Sequence, residues 1–237
     1  MALMSNTTST ATRAPDGLHL PLMLALTFST GVIDAVGYLG LDRVFTGNMT
    51  GNVVVLGMAL AGSDNLPIVG PIVALGGFLV GAALAGSLLR TSPTGWTSRT
   101  TKLFAGIAVG LAAGSIALFI DPHPPYGVAL AITGLLGMAM GTQAGTARNI
   151  GVREVTTVVV TSTITALAAE SWFGNRAGAQ LGRRGSAVLL ILLGATTGAL
   201  LLKWEPGAGV ALAAAITSVV CVIGERERLP VPATAQI

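Results

Sequence analysis

The sequence predicts an all-α membrane protein of six spanning helices and two short half-helices, arranged as a 3+3 inverted repeat. Three observations carry this prediction. The first is charge poverty: of 237 residues 52% are hydrophobic and 10% charged, against about 25% charged in an average soluble domain. So few charges cannot clothe a surface in water, and the mean hydropathy of +0.76 agrees. The second is that the apolar residues fall in runs long enough to cross about 30 Å of hydrocarbon. The third is that the basic residues sort onto one membrane face once two shorter segments are allowed to turn back. The net charge of +3 therefore reports orientation. With its basic residues scattered through loops, the chain offers no footprint for nucleic acid.

Residues 1–17 are polar, rich in Ser and Thr, and carry Arg13 and Asp16 without periodicity, which predicts a disordered tail. His19–Leu41 follows as the first span. It is too long for a signal-peptide core and no small-residue cleavage site comes after it, so it stays in the mature chain. Leu66–Leu89, Leu103–Ile120, Tyr126–Ala147, Ser186–Leu202 and Gly207–Gly224 are the other spans, the shorter ones crossing by local thinning of the bilayer. Together they make one membrane domain over 18–225, followed by a tail at 226–237. The lone Cys221 excludes an internal disulfide framework and a multi-cysteine metal site.

Val44–Gly62 and Val155–Glu170 fit less well. Each is apolar at its C-terminal end but opens on polar residues: Thr46, Asn48, Thr50 and Asn52 in the first, Thr156, Thr157, Thr161 and Thr163 in the second. A helix of roughly 14 residues reaches only about 21 Å, short of the hydrocarbon thickness. These are either poor full spans or half-helices that enter and leave on one side. With eight spans the basic residues divide almost evenly between the faces. With six, Arg13, Arg90, Arg99, Lys102, Arg148, Arg153, Arg176, Arg183, Arg184, Arg226 and Arg228 share one face, leaving Arg43 and Lys203 on the other. The positive-inside rule prefers that arrangement and puts both termini in the cytoplasm.

The two odd segments also echo each other. Gly31-Val-Ile-Asp34-Ala35 is answered by Gly141-Thr-Gln143-Ala144. Gly40-x-x-x-Val44-Phe45-Thr46-x-x-x-Thr50-x-Asn52 is answered by Gly151-x-x-x-Val155-Thr156-Thr157-x-x-x-Thr161-x-Thr163, and Gly77-x-x-x-Gly81 by Gly194-x-x-x-Gly198. Halves over 18–121 and 122–225 would each hold one span, one half-helix and two further spans. Three crossings per half require the halves to be inverted, an architecture common among transporters. Coincidence in a chain rich in Gly and Thr is the competing explanation.

The same motifs carry a resemblance. Gly-Val-Ile-Asp-Ala at 31–35, Val-Phe-Thr-Gly-Asn-Met-Thr-Gly-Asn at 44–52, Gly-Thr-Gln-Ala-Gly-Thr-Ala-Arg at 141–148 and Val-Thr-Thr-Val-Val-Val-Thr-Ser-Thr at 155–163 make the chain similar to the YoaK-like family of bacterial inner-membrane proteins, a domain of unknown function. The resemblance implies a multi-pass protein of the bacterial plasma membrane and supplies no substrate. At 143–145 the chain reads Gln-Ala-Gly where the resemblance leads one to expect Gln-Asn-Ala, which lowers the weight of Ala144 as a polar site residue.

Asp34 is the only acidic residue well inside a spanning run. Ionised at a helix centre it costs roughly 2.5–3.5 kcal/mol, so it faces the protein interior or water, or carries a proton. One reading makes it a coupling-proton or cation site; the other makes it a cap for a broken helix. Gln143, its counterpart in the echo, carries no charge. Asn48 and Thr50 are suited to cap the start of the first half-helix, as Thr156 and Thr157 are for the second. Thr46, Asn52, Thr161 and Thr163 join them as candidate lining of a solute path, with interhelical hydrogen bonding as the structural alternative. Arg148 and Arg153 flank the second half-helix as orientation charges, and Arg148 is placed to attract an anion as well. The four-residue ladders Gly77/Gly81, Gly106/Gly110/Gly114, Gly137/Gly141/Gly145 and Gly194/Gly198 predict close packing between spans. Trp96, Trp172 and Trp204 fall near membrane boundaries, where an aromatic belt would put them.

Nothing points to an enzyme or to a bound cofactor. There is no phosphate loop and no His-Glu-x-x-His, and His19 and His123 lie at opposite ends of predicted spans. The expectation is a transporter or channel for a small polar or anionic solute, its site formed at the midplane by Asp34, the 46–52 motif, Gln143 and the 156–163 Thr run. The competing expectation is a non-transporting assembly or sensory subunit. The bilayer and a small solute are the expected partners, and a homo-oligomer is left open.

Overall fold

The computed structural model describes residues 16–63, 65–151, 164–165, 168 and 178–228. Its elements are helices: α1 (Asp16–Gly40), α2 (Met49–Leu60), α3 (Val69–Leu89), α4 (Ser98–Ile120), α5 (Tyr126–Ile150), α6 (Gly178–Trp204) and α7 (Pro206–Arg226). Six are long and apolar enough to cross a membrane, over Leu18–Gly40, Val69–Leu89, Ser98–Ile120, Tyr126–Ile150, Gly185–Trp204 and Pro206–Arg226. These are the six runs read from the sequence. Compared span by span, the largest difference is at α4, which begins at Ser98 rather than Leu103. Its polar first turn is helical because Thr97 and Thr100 form a reciprocal capping box that satisfies two free backbone N–H groups. α5 runs on to Ile150 and stops at Gly151, whose φ of 79° supplies the left-handed cap.

The glycine ladders set the closest helix pairs. A Cβ on Gly77 or Gly81 would strike the backbone of Gly134 or Met138, and one on Gly137 or Gly141 would strike Ala74 or Phe78. Those registers run in the same direction, so α3 lies parallel along α5. Gly194 meets Phe28 and Gly198 meets Val32 in the same manner, which lays α6 parallel along α1. α4 and α7 are antiparallel: Ser115 Oγ donates to the Gly207 carbonyl at 2.9 Å near one end, and Thr101 Oγ1 donates to Glu225 Oε2 at 2.6 Å near the other. α1 runs against α7, with Gly209 on Val36, and α4 runs against α5, with Gly114 beside Ile132 and Leu136.

These directions fix the connections. Because α5 runs with α3 and against α4, and α4 runs against α7, α1 and α3 point in opposite directions. Segment 41–68, which contains α2, therefore leaves and returns at one end of the bundle. By the same reasoning α5 and α6 are opposed, and segment 151–177 starts and finishes at the other end. The start of α1 and the finish of α7 share an end: the Trp96 ring lies 6.3 Å from the His19 ring and rests on Gly224.

The core runs through α1, α4, α5 and α7, with Phe104, Met23, Ile33, Leu111 and Leu136 among its fully buried side chains. Two expectations change here. Trp96 is buried, stacked on Phe104 at 5.2 Å with its Nε1 donating to Thr101 Oγ1 at 2.9 Å, so it plugs the bundle rather than joining a belt. Trp204 at 81% exposure does suit a membrane boundary, and Trp172 lies outside the described residues. Gly106 and Gly110 do not pack helices together: a Cβ at Gly106 would meet nothing, and one at Gly110 only a methyl of Leu135 at 3.6 Å.

Candidate functional site

Between α1 and α2 the chain is not helical, and it turns back along the helix it has just left. Val44 N donates to the Gly37 carbonyl at 3.4 Å. Thr46 N and Gly47 N then donate to Asp34 Oδ1 at 2.9 and 2.7 Å, and Gly47 lies against the Thr30 methyl. From Gly37 to Thr30 the segment has retraced seven residues of α1, about 10 Å. Thr30 is near the middle of the Leu18–Gly40 span. Non-helical backbone at such a depth survives only where the protein satisfies its polar groups or it lines a wet cavity, and here side chains do much of that work.

Asp34 is the first of them, taking two N–H groups and, at 3.4 Å, the Thr46 hydroxyl. Asn52, 1% exposed, is the second: its Nδ2 donates to the Phe45 carbonyl at 2.5 Å and its Oδ1 accepts from Phe45 N at 2.8 Å. Phe45 is held in turn by stacking on Tyr38 with ring centres 4.8 Å apart. Asn48 is the N-cap of α2, its Oδ1 accepting from Gly51 N at 3.2 Å. These roles are those of a capping and turn-locking set.

Gln143 approaches from α5. It is 7% exposed, and its Nε2 donates to Thr30 Oγ1 at 3.1 Å. The Thr30 hydroxyl gives its one hydrogen to the Leu26 carbonyl at 2.9 Å, so toward Gln143 it can only accept. That fixes the amide with its NH2 on Thr30, and leaves Gln143 Oε1 buried without a hydrogen-bond partner. One acceptor oxygen is thus left over where α1, α5 and the 44–48 turn converge.

Of the sequence-predicted site residues, Asp34, Thr46 and Gln143 come together, joined by Thr30 and Gly47, which the sequence reading did not single out as site residues. Thr30 stands one turn before Asp34 on the same helical face, and that spacing was its available signal. Asn52 borders the cluster with both amide atoms committed to Phe45. Asn48 and Thr50 are exposed at the start of α2, and Arg148 is exposed in the last turn of α5. Thr156, Thr157, Thr161, Thr163 and Arg153 lie outside the described residues. No group of three or more His, Cys, Asp or Glu side chains placed to hold a metal exists among the described residues.

Asp42 marks the end of the bundle where the turn begins. Its Oδ2 sits beside Gly70 at the start of α3 and is buried without a hydrogen-bond partner. Burial pushes the carboxyl above the usual aspartate value, against the opposing pull of the Tyr126 hydroxyl and the Arg43 charge.

The family model described as "Protein of unknown function (DUF1275)" matches residues 22–223, which takes in every residue of this cluster. The chain belongs to the DUF1275 family. One relative of this DUF1275 chain, the UPF0700 transmembrane protein YoaK of Bacillus subtilis (strain 168), is 32% identical over 147 residues, 62% of this chain. The match spans 64% of that relative's length. No solved structure matches. Six spans and a relative of that description agree that this DUF1275 member is a multi-pass membrane protein.

Proposed function

We propose that this DUF1275 protein is a transporter or channel for a small polar or anionic solute in the bacterial plasma membrane. Its site lies where the 44–48 turn meets Asp34, Thr30 and Gln143. The observation that carries the reading is the unpartnered acceptor Gln143 Oε1, buried at mid-depth in the bundle beside Thr30. Leaving a buried carbonyl oxygen unmatched costs about 1–3 kcal/mol, a cost that a bound solute able to donate hydrogen bonds removes. The Asp34 carboxylate already occupies the N–H groups of Thr46 and Gly47 that would otherwise face an anion. At this half a neutral polar solute is therefore the better fit of the two.

The same reading takes α2 as a half-helix and the chain as two inverted halves. Three features support it. α2 has 12 residues, about 18 Å of helix, and sits in a segment that starts and ends at one end of the bundle. Every buried position from Leu22 to Val36 in α1 has a buried counterpart 110 residues later in α5. Finally, α3 pairs in parallel with α5 as α6 does with α1, the exchange a two-fold relation between halves requires. The basic residues then put both termini in the cytoplasm.

A second reading has an observation of its own. Asp34 Oδ1, Asn48 and Asn52 are all committed to the backbone of residues 45–51, as in a non-transporting subunit whose polar motif locks the turn. Reconstitution in proteoliposomes separates the two. Under osmotic shock with a panel of small neutral solutes such as urea and glycerol, wild-type vesicles should swell faster than protein-free ones. The Asp34→Asn and Gln143→Leu proteins should lose that excess. Swelling equal to protein-free vesicles across the panel, from folded protein, sinks the transport reading, and a reduced folded yield of Asp34→Asn without any flux favours the lock.

A further inference from the structure

We propose that a groove on the outer surface of the bundle, between α3, α4 and α5, binds one anionic phospholipid, with an acyl chain in the groove and the phosphate on Lys102. α3 and α4 both lie along α5 and touch each other little, which leaves a valley floored by α5. Its volume is about 200 Å³, and Leu84, Leu103, Ile107, Leu135 and Met138 line it. Gly106 and Gly110 hollow its α4 wall. Their four-residue spacing is that of a packing ladder, yet a Cβ at Gly106 would meet nothing within 4 Å, so the absent side chains create width where no neighbouring helix uses it. From Lys102 to Gly110 the groove follows α4 for about 12 Å.

Lys102 is the one charged residue lining the groove, and it stands at the end nearest the 90–97 connection, where Arg90 and, in the first turn of α4, Arg99 also lie. Arg99 is committed elsewhere, its guanidinium donating to the Leu88 carbonyl at 3.1 Å and to Thr91 Oγ1 at 2.7 Å. Among the described residues the ion pair formed is Arg228 with Glu225, so Lys102 has no acidic partner there. A long lysine one turn inside a span reaches to the headgroup level while its stem stays in apolar surroundings. Positive charge at the membrane surface with an apolar trough running inward is the polarity of a phospholipid, and basic sites between spans are known to hold anionic headgroups. An apolar helix from a second copy of the chain would leave Lys102 unmatched.

Native mass spectrometry of the detergent-solubilised protein, offered phosphatidylglycerol and phosphatidylcholine in equal amounts, tests this. Wild type should retain one phosphatidylglycerol roughly five-fold in preference to phosphatidylcholine. Lys102→Ala should abolish the preference, and Lys102→Arg should keep it. Filling the groove with Gly106→Leu, or separately Gly110→Leu, should cut retention of both lipids in protein that stays monodisperse and helical. Equal retention of the two lipids by wild type overturns the proposal. So does phosphatidylglycerol retention that survives both glycine substitutions or is displaced by inorganic phosphate alone, and so does a dimer whose cross-links map to Gly106.

Discussion

Asp34 accepts two backbone N–H groups from a turn folded down beside its helix, which explains how an acidic residue is tolerated deep in a span: the turn supplies the donors that lipid cannot. Its prominence was legible in the sequence because it stands out among apolar neighbours. Thr30 was not, since a threonine at mid-span ordinarily bonds its own helix four residues back, and only the fold brings Gln143 within 3.1 Å of it. Asn52 should matter most for stability. Asn52→Leu strips both partners from Phe45 N–H and C=O, and each buried group left unmatched costs about 1–3 kcal/mol. A lowered unfolding midpoint in detergent checks this. Asp42 gives a pH signature. Its folded carboxyl binds a proton more tightly than the ordinary aspartate value of 3.8, so the unfolded state holds fewer protons in the window between 3.8 and the raised value. Stability should therefore fall as pH rises through that window. Asp42→Asn should flatten this part of the stability profile; an unchanged slope would show that other groups set it.

At the scale of the element, glycines divide into two classes that look alike in sequence. Gly81 and Gly194 face helix backbones directly, whereas Gly106 faces open space. Gly81→Val and Gly194→Val should each destabilise the bundle by about 1–3 kcal/mol or more through overpacking. Gly106→Ala should be neutral or stabilising by up to about 1 kcal/mol, since alanine is the better helix former. Thermal unfolding of the three variants side by side makes the comparison, and equal losses would mean the close approaches do not bear weight. The spans themselves were legible because hydropathy is a local property. The start of α4 was less so: its polar first turn becomes helical through the Thr97–Thr100 capping pair, a two-residue interaction that hydropathy does not register. Trp96 looked like a boundary residue because it falls beside a span, and it is buried because His19, Phe104 and Gly224 arrive around it from three other segments.

For the whole molecule, the relative directions of the spans leave segment 41–68 at one end of the bundle together with the connection at 121–125, and put the connection at 90–97 at the other. With Cys221→Ala as background, Arg43→Cys, Ser63→Cys and His123→Cys should react with a membrane-impermeant thiol reagent from one face, and Thr94→Cys from the opposite face. The charge asymmetry predicts that Thr94→Cys will be the one labelled from the cytoplasmic face. Labelling of positions 43 and 63 from opposite faces would require segment 41–68 to cross, and would remove the basis for reading α2 as a half-helix.

The amino-acid sequence by itself determined that this protein belongs in a bilayer, roughly where its six spans lie and which of its acidic residues is out of place, because burial in lipid is set by the composition of each run. The tertiary structure decided which oxygens at mid-depth are spent and which are left over, and which glycines join helices and which open a groove. Those outcomes depend on how spans far apart in the chain are directed and registered against one another, and a local pattern of hydrophobic and polar residues carries almost no information about register.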